Sequence, residues 1–262
     1  MLTAIFVFAI CFSASTVGGI CGIGGGVVIK PLLDAVGIMP VSTVSFLSGL
    51  TVLAMAVINV YKNRKGGELD PARSIPLGIG AAIGGVAGKY LFSALKEAVQ
   101  ADRTVGAVQS IVLGLLVLGT LMYVVFKARI QTRNVGGKAM PVIIGALLGI
   151  FSSFLGIGGG PMNLAVLYYF FSMDTKKAAV NSVLIILISQ IASLIMSLAT
   201  NTVPAFDWGY LAAMVAAGAL GGFLSARLHK KLSAATTDKL FIGLLIVIFG
   251  ICIYNTVRML VG

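Results

Sequence analysis

Long apolar runs separated by short polar ones account for almost the whole chain. A bilayer crossing needs about 20 mostly apolar residues. By that measure clear spans fall at 41–60, 74–95 and 104–126, and again at 178–200, 208–228 and 240–257. Two regions are left over, 1–38 and 139–173. Each is apolar, too long for one crossing, and broken in its middle by the same five residues, GIGGG, at 22–26 and 156–160. Glycine weakens a helix interior by about 1 kcal/mol relative to alanine. Three glycines in a row inside an apolar run therefore predict helical hairpins or interrupted helices. Residues 1–38 have no basic leader and are matched in the second half, so they are expected to be retained, not cleaved as a signal peptide.

The spacing between the two GIGGG copies also aligns Leu33 with Leu167, Met39 with Met173 and Ser48 with Ser182. After a small length change, Gly84-Gly85 parallels Gly221-Gly222. Two copies of one unit are expected: a first repeat at 1–127, a linker at 128–138 and a second repeat at 139–262.

Only 10% of residues are charged and 58% are hydrophobic, against about 25% charged in soluble domains. No polar segment is long enough for a soluble domain. The net charge of +11 resides in loops, where it reports topology and not nucleic-acid binding. Loop 61–73 carries Lys62, Arg64, Lys65 and Arg73, whereas its counterpart at 201–207 has no cation and carries Asp207. Loop 96–103 is balanced, whereas its counterpart holds Arg227, Lys230, Lys231 and Lys239. The linker adds Lys127, Arg129, Arg133 and Lys138, and Lys176-Lys177 follows. These basic loops share one side if each half has an odd number of segments. The positive-inside rule makes that side cytoplasmic and both termini external. Equivalent loops then have opposite sidedness. The expected fold is an all-α polytopic membrane protein of two inverted-topology repeats, each an interrupted helix or hairpin followed by three spans.

A helix broken within a membrane leaves backbone N–H groups unpaired at its new N-terminus, and lipid cannot satisfy them. Glycine lets a ligand approach such groups closely, and the half-helix dipole adds partial positive charge. Two breaks, one per repeat, predict an anion site at the midplane of a transporter. The candidate residues are Gly24, Gly25, Gly26 and Lys30 in the first half, and Gly158, Gly159, Gly160 and Asn163 in the second. Ser48, Asn181, Ser182 and Gln190 on the following spans can donate to an oxyanion without adding charge. Plainer roles stand beside these. Lys30 either faces the cavity or snorkels outward. GIGGG can be a packing site, Ser48 and Ser182 can bond their own helices, and Gln190 can join two helices. The ladders Gly80-Gly84-Gly88 and Gly218-Gly222 are expected to pack helices, Lys89 and Arg227 to anchor span ends, and His229 to be solvated in a basic loop.

Cys11, Cys21 and Cys252 lie in apolar runs without metal or redox spacing and are expected to be small buried residues, with no metal or cofactor. The acidic residues fall in loops or at span ends, Asp34 coming nearest to a span interior. No catalytic set is visible, which counts against an enzyme, and scarce intramembrane carboxylates count against a cation carrier. An anion channel lined by GIGGG remains open as an alternative to a carrier. Without a mid-span carboxylate or histidine to hold a coupling ion, export driven by voltage alone is expected. Each charge moved outward gains about 2.3 kcal/mol per 100 mV.

The doubled GIGGG, with SFLS at 45–48 and AVNS at 179–182 downstream, resembles the TauE/SafE family of sulfite and organosulfonate exporters over essentially the whole chain. The family's proline after the first break corresponds to Pro31, and its Thr-Ser pair is replaced by Leu47-Ser48 and Asn181-Ser182. The resemblance implies export of sulfite or an organosulfonate across the cell membrane. The expected partners are that small anion and the lipid bilayer, with no nucleic acid and with room for a homodimer.

Overall fold

A computed structural model describes residues 2–99, 102–137, 139–157 and 160–261. The helices are α1 (Leu2–Cys21), α2 (Gly26–Val36), α3 (Val41–Asn63), α4 (Pro71–Val99) and α5 (Asp102–Phe126). After a 3-10 turn at Lys127–Arg129 come α6 (Ala139–Leu155), α7 (Pro161–Phe171), α8 (Thr175–Ala199), α9 (Trp208–Lys231) and α10 (Ala234–Val261). No strand occurs among the described residues. Among the described residues, seven helices are long and apolar enough to cross a membrane: α1, α3, α4, α5, α8, α9 and α10. The protein is an all-α polytopic membrane protein.

Both GIGGG segments break their helices. Gly22, Gly24 and Gly156 have φ of +76°, +75° and +65°, a region open to glycine at little cost. In the first break Ile23 N–H donates to the Gly18 carbonyl (3.0 Å), and in the second Ile157 N–H donates to the Ser152 carbonyl (3.3 Å). These are the same bond at matched positions. Pro161 opens α7 at a position where its missing N–H costs nothing. Polar caps set where the spans of the second half begin. Asp174 accepts from Lys177 N–H at the start of α8, and Asp207 accepts from Gly209 and Tyr210 N–H at the start of α9.

Packing partners exchange when the halves exchange. Helix α1 packs on α9 as α6 packs on α4, α3 on α9 as α8 on α4, and α2 on α10 as α7 on α5. The glycine ladders are where backbones meet. A methyl on Gly80, Gly84 or Gly88 would strike the Val142, Ala146 or Ile150 carbonyl on α6, and one on Gly218 would strike Thr51 on α3. Small residues allow this approach where no hydrophobic drive separates protein from lipid.

The basic loops are knitted together at one end. Arg133 and Val135 N–H donate to the Tyr169 and Phe170 carbonyls, Arg73 donates to the Phe171 carbonyl, and Lys127 pairs with Asp238. His229 corrects its expected place in a solvated loop. Helix α9 runs past the predicted span end and turns the ring inward, leaving it 1% exposed. Its Nδ1 lies 3.2 Å from the Ile20 carbonyl and its Nε2 3.2 Å from Glu68 Oε2. Cys11, Cys21 and Cys252 are buried free thiols.

Candidate functional site

The two breaks touch. A Cβ on Gly26 would overlap the Ile157 carbonyl, so the start of α2, just past the first break, rests on the backbone of the second. Each break also leans on a long helix of the opposite half. Gly22 lies against Ala179 on α8, and Gly156 lies against Ser45 on α3, two matched positions. Gly24 faces Ile186 and Val52, and Gly25 faces Ser15. Gly160 caps α7 in extended conformation. Gly158 and Gly159 lie outside the described residues.

Lys30 does not snorkel. Its side chain is 4% exposed, and its Nζ is 2.8 Å from Asp34 Oδ2, whose side chain is 7% exposed. Nζ also donates to Gln109 Oε1 at 3.1 Å, and Gln109 Nε2 donates to the Phe154 carbonyl at 2.5 Å, beside the second break. Lys30 Cε sits 3.2 Å from where a Cβ on Gly156 would be. A lysine of the first repeat thus reaches the break of the second. Asp34, read from the sequence as the acidic residue nearest to a span interior, lies within α2. The i,i+4 spacing of Lys30 and Asp34 places both on one face of α2, where each offsets the other's burial.

Above this pair lies a cavity of about 270 Å³ between α3, α4, α6 and α8. Its deep end is formed by Ser45, Gln109, Ser153 and Gly156, and its mouth by Thr200, Thr202 and Pro204. The mouth is at the end opposite the basic loops. With a water occupying about 30 Å³ of liquid, the space suits a small oxyanion with part of its hydration. Ser45 Oγ is buried there without a partner and is free to donate.

Lys89 lines the cavity wall, which corrects its expected role as an interfacial anchor. Helix α4 is 29 residues long, so Lys89 lies well inside it. Its Nζ donates to the Ser193 carbonyl (2.8 Å) and to Ser197 Oγ (2.6 Å). Gln190 also lines the wall. The signal for this wall was the run Ser189, Ser193, Ser197 at helical spacing along one face of α8.

The remaining candidates are placed elsewhere. Ser48 is buried and donates to the Ser45 carbonyl. Asn163 is buried on α7. Ser182 is fully buried and its Oγ has no partner. Asn181 holds the basic-end loop: its Oδ1 accepts from Asp70 N–H and Ser74 Oγ, and its Nδ2 donates to the Glu68 and Lys177 carbonyls. Among the described residues, no cluster of His, Cys, Asp or Glu could hold a metal ion.

Broken helices in contact at a buried lysine, beside a mostly apolar cavity that carries a lysine, serines and glutamines, in a bundle of apolar helices, fit a membrane transporter. The family agrees with that class. The TauE/SafE sulfite exporter family model matches residues 7–251, and the chain belongs to that family, a family of membrane transporters. No curated protein and no solved structure matches the chain.

Proposed function

We propose that the protein exports a small anion, sulfite or an organosulfonate, across the cell membrane by alternating access. The cavity that ends on Gly156 carries this reading, because its wall offers the half-buried ammonium of Lys89 and several hydroxyl donors, with the buried Lys30 directly behind Gly156. Lys30 and Gln190 are the predicted members of this site, and Gly156, Lys89, Ser45 and Gln109 complete it. The repeats at 1–127 and 139–262 are inverted, with the basic end cytoplasmic and both termini external. In that orientation the cavity faces outward.

Several contacts support a carrier over a pore. Gly26 against Ile157 closes the path at the breaks. Below it, Gly19 packs on Ser225, Gly222 on Met55, and Gly221 on Ser15. Asn181 and His229 tie the 63–70 loop across the basic end. These are the contacts an inward-facing state must open. Counterflow in proteoliposomes tests the reading. Internal unlabelled sulfite should drive transient uptake of labelled sulfite, with saturation. Linear, non-saturating flux without counterflow would indicate a channel, and no sulfite flux would overturn the export reading.

A further inference from the structure

We infer that Asp34 is a proton site linked to the anion, so that each exported anion leaves accompanied by a proton. This rests on the reading of the cavity as the anion site.

Three observations meet at one place. Lys30 and Asp34 form an ion pair out of water, with side chains 4% and 7% exposed. Asp34 spends one oxygen on Lys30, while its Oδ1 is buried without any partner. Lys30 in turn is one residue thick from the cavity: it touches Gly156 and bonds Gln109, and both of these line the cavity. An anion at the deep end of the cavity therefore competes with Asp34 for the same ammonium. If it wins, Asp34 becomes a bare carboxylate in a dry site, the costliest outcome for a buried pair. A proton removes that cost. The exchange balances: on the side where the anion is taken up, the anion takes Lys30 and a hydronium proton bonds to Asp34, and both leave together once the cavity opens outward, so that Lys30 and Asp34 pair again.

Few charged groups reach Asp34 from the helices packed on α2. Helix α1 brings no charged residue, and the charged residue of α3, Lys62, lies at its far end with Tyr61. Helix α5 brings the neutral Gln109, with Arg103 more than a turn earlier. Helix α10 brings Cys252 and Arg258, and the Arg258 guanidinium donates to the Ala35 carbonyl. It also brings Asn255, whose Nδ2 donates to the Pro31 carbonyl and whose Oδ1 has no partner. Protonation turns one of two unpartnered acceptors, Asp34 Oδ1, into a donor.

The experiment counts protons per sulfite. Proteoliposomes loaded with sulfite and an internal pH dye are diluted, and sulfite and proton efflux are followed together. Sulfite's own titration is identical for every variant, so the difference between proteins isolates the carboxylate. Asp34→Asn should carry about one proton fewer per sulfite than the wild type. Asp34→Glu keeps a carboxylate beside Lys30 and should keep the wild-type count, which separates loss of the proton from loss of packing. Equal proton counts in wild type and Asp34→Asn, or an Asp34→Glu count that falls with Asp34→Asn, would overturn the inference while leaving sulfite export intact. Absence of sulfite flux in the wild type would overturn the export reading and this inference with it.

Discussion

Gly26 and Ile157 hold the two broken helices in register, because the backbone of Gly26 lies directly on the Ile157 carbonyl with no space for a side chain. The contact joins the last glycine of one GIGGG to the isoleucine of the other. Gly26→Ala should therefore force backbone apart, destabilising by about 1–3 kcal/mol as overpacked cores do, and it should lower sulfite binding with stability. Gly243→Ala is the control: nothing lies within 4 Å of its Cβ position, so helix propensity alone acts. Thermal unfolding in detergent should show a fall for Gly26→Ala and no fall for Gly243→Ala. Equal melting temperatures would mean that the breaks do not bear on one another.

Lys89 gives the second prediction. Its ammonium is held on the cavity wall by the Ser193 carbonyl and Ser197 Oγ, positions that a small anion can share. A charge at about 4 Å is worth up to about 4 kcal/mol at an effective dielectric of 20, before its partial solvation is discounted. Lys89→Gln should weaken sulfite affinity at least about tenfold, equivalent to about 1.4 kcal/mol, with little change in unliganded stability. Sulfite-dependent thermal shift of the two proteins measures this. An unchanged shift would remove Lys89 from the site.

The fold was legible where local chemistry determines it. Three glycines in an apolar run favour a break, and both breaks fall where GIGGG stands. The glycine ladders declare close helix contact by size alone. Lys89 and His229 were not legible because their roles depend on where helices end. Hydropathy windows end at 95 and 228, so Lys89 reads as an anchor near a span end and His229 as a solvated loop residue, whereas α4 and α9 continue to Val99 and Lys231 and turn both inward. Lys30 was recognised as an oddity, but its partner across the halves, Gln109, is set by tertiary packing that no local pattern encodes. Asn181 was drawn into the predicted site by its neighbour Ser182, while its amide is used by a loop more than a hundred residues away.

Asn181 and Ser182 give contrasting outcomes. Asn181→Ala leaves Asp70 N–H, Ser74 Oγ and the Glu68 carbonyl without their partner, and a buried group so orphaned costs about 1–3 kcal/mol. The loop it holds should loosen, which hydrogen exchange at residues 64–70 would report. Ser182→Ala removes an Oγ that has no partner and should leave stability within about 0.5 kcal/mol. Should Ser182→Ala instead reduce sulfite affinity, Ser182 contacts the anion in a state other than this one.

The inverted arrangement of the repeats is testable at matched loops. Lys65 is exposed in the basic loop after α3, and Ala205 is exposed in the cation-free loop after α8. The three native cysteines are buried and should give a quiet background to thiol labelling. Single cysteines at Lys65 and Ala205 fall on opposite faces if equivalent loops are inverted, and the cation-rich loop faces inward by the positive-inside rule. A membrane-impermeant maleimide should therefore label Ala205→Cys in intact cells and Lys65→Cys only after permeabilisation. The cavity mouth at Thr202 and Pro204 lies beside Ala205, so sulfite in the medium should slow labelling at Thr202→Cys if the cavity faces outward. Labelling of Lys65→Cys and Ala205→Cys from the same side would overturn the inverted arrangement, and with it the outward orientation of the cavity.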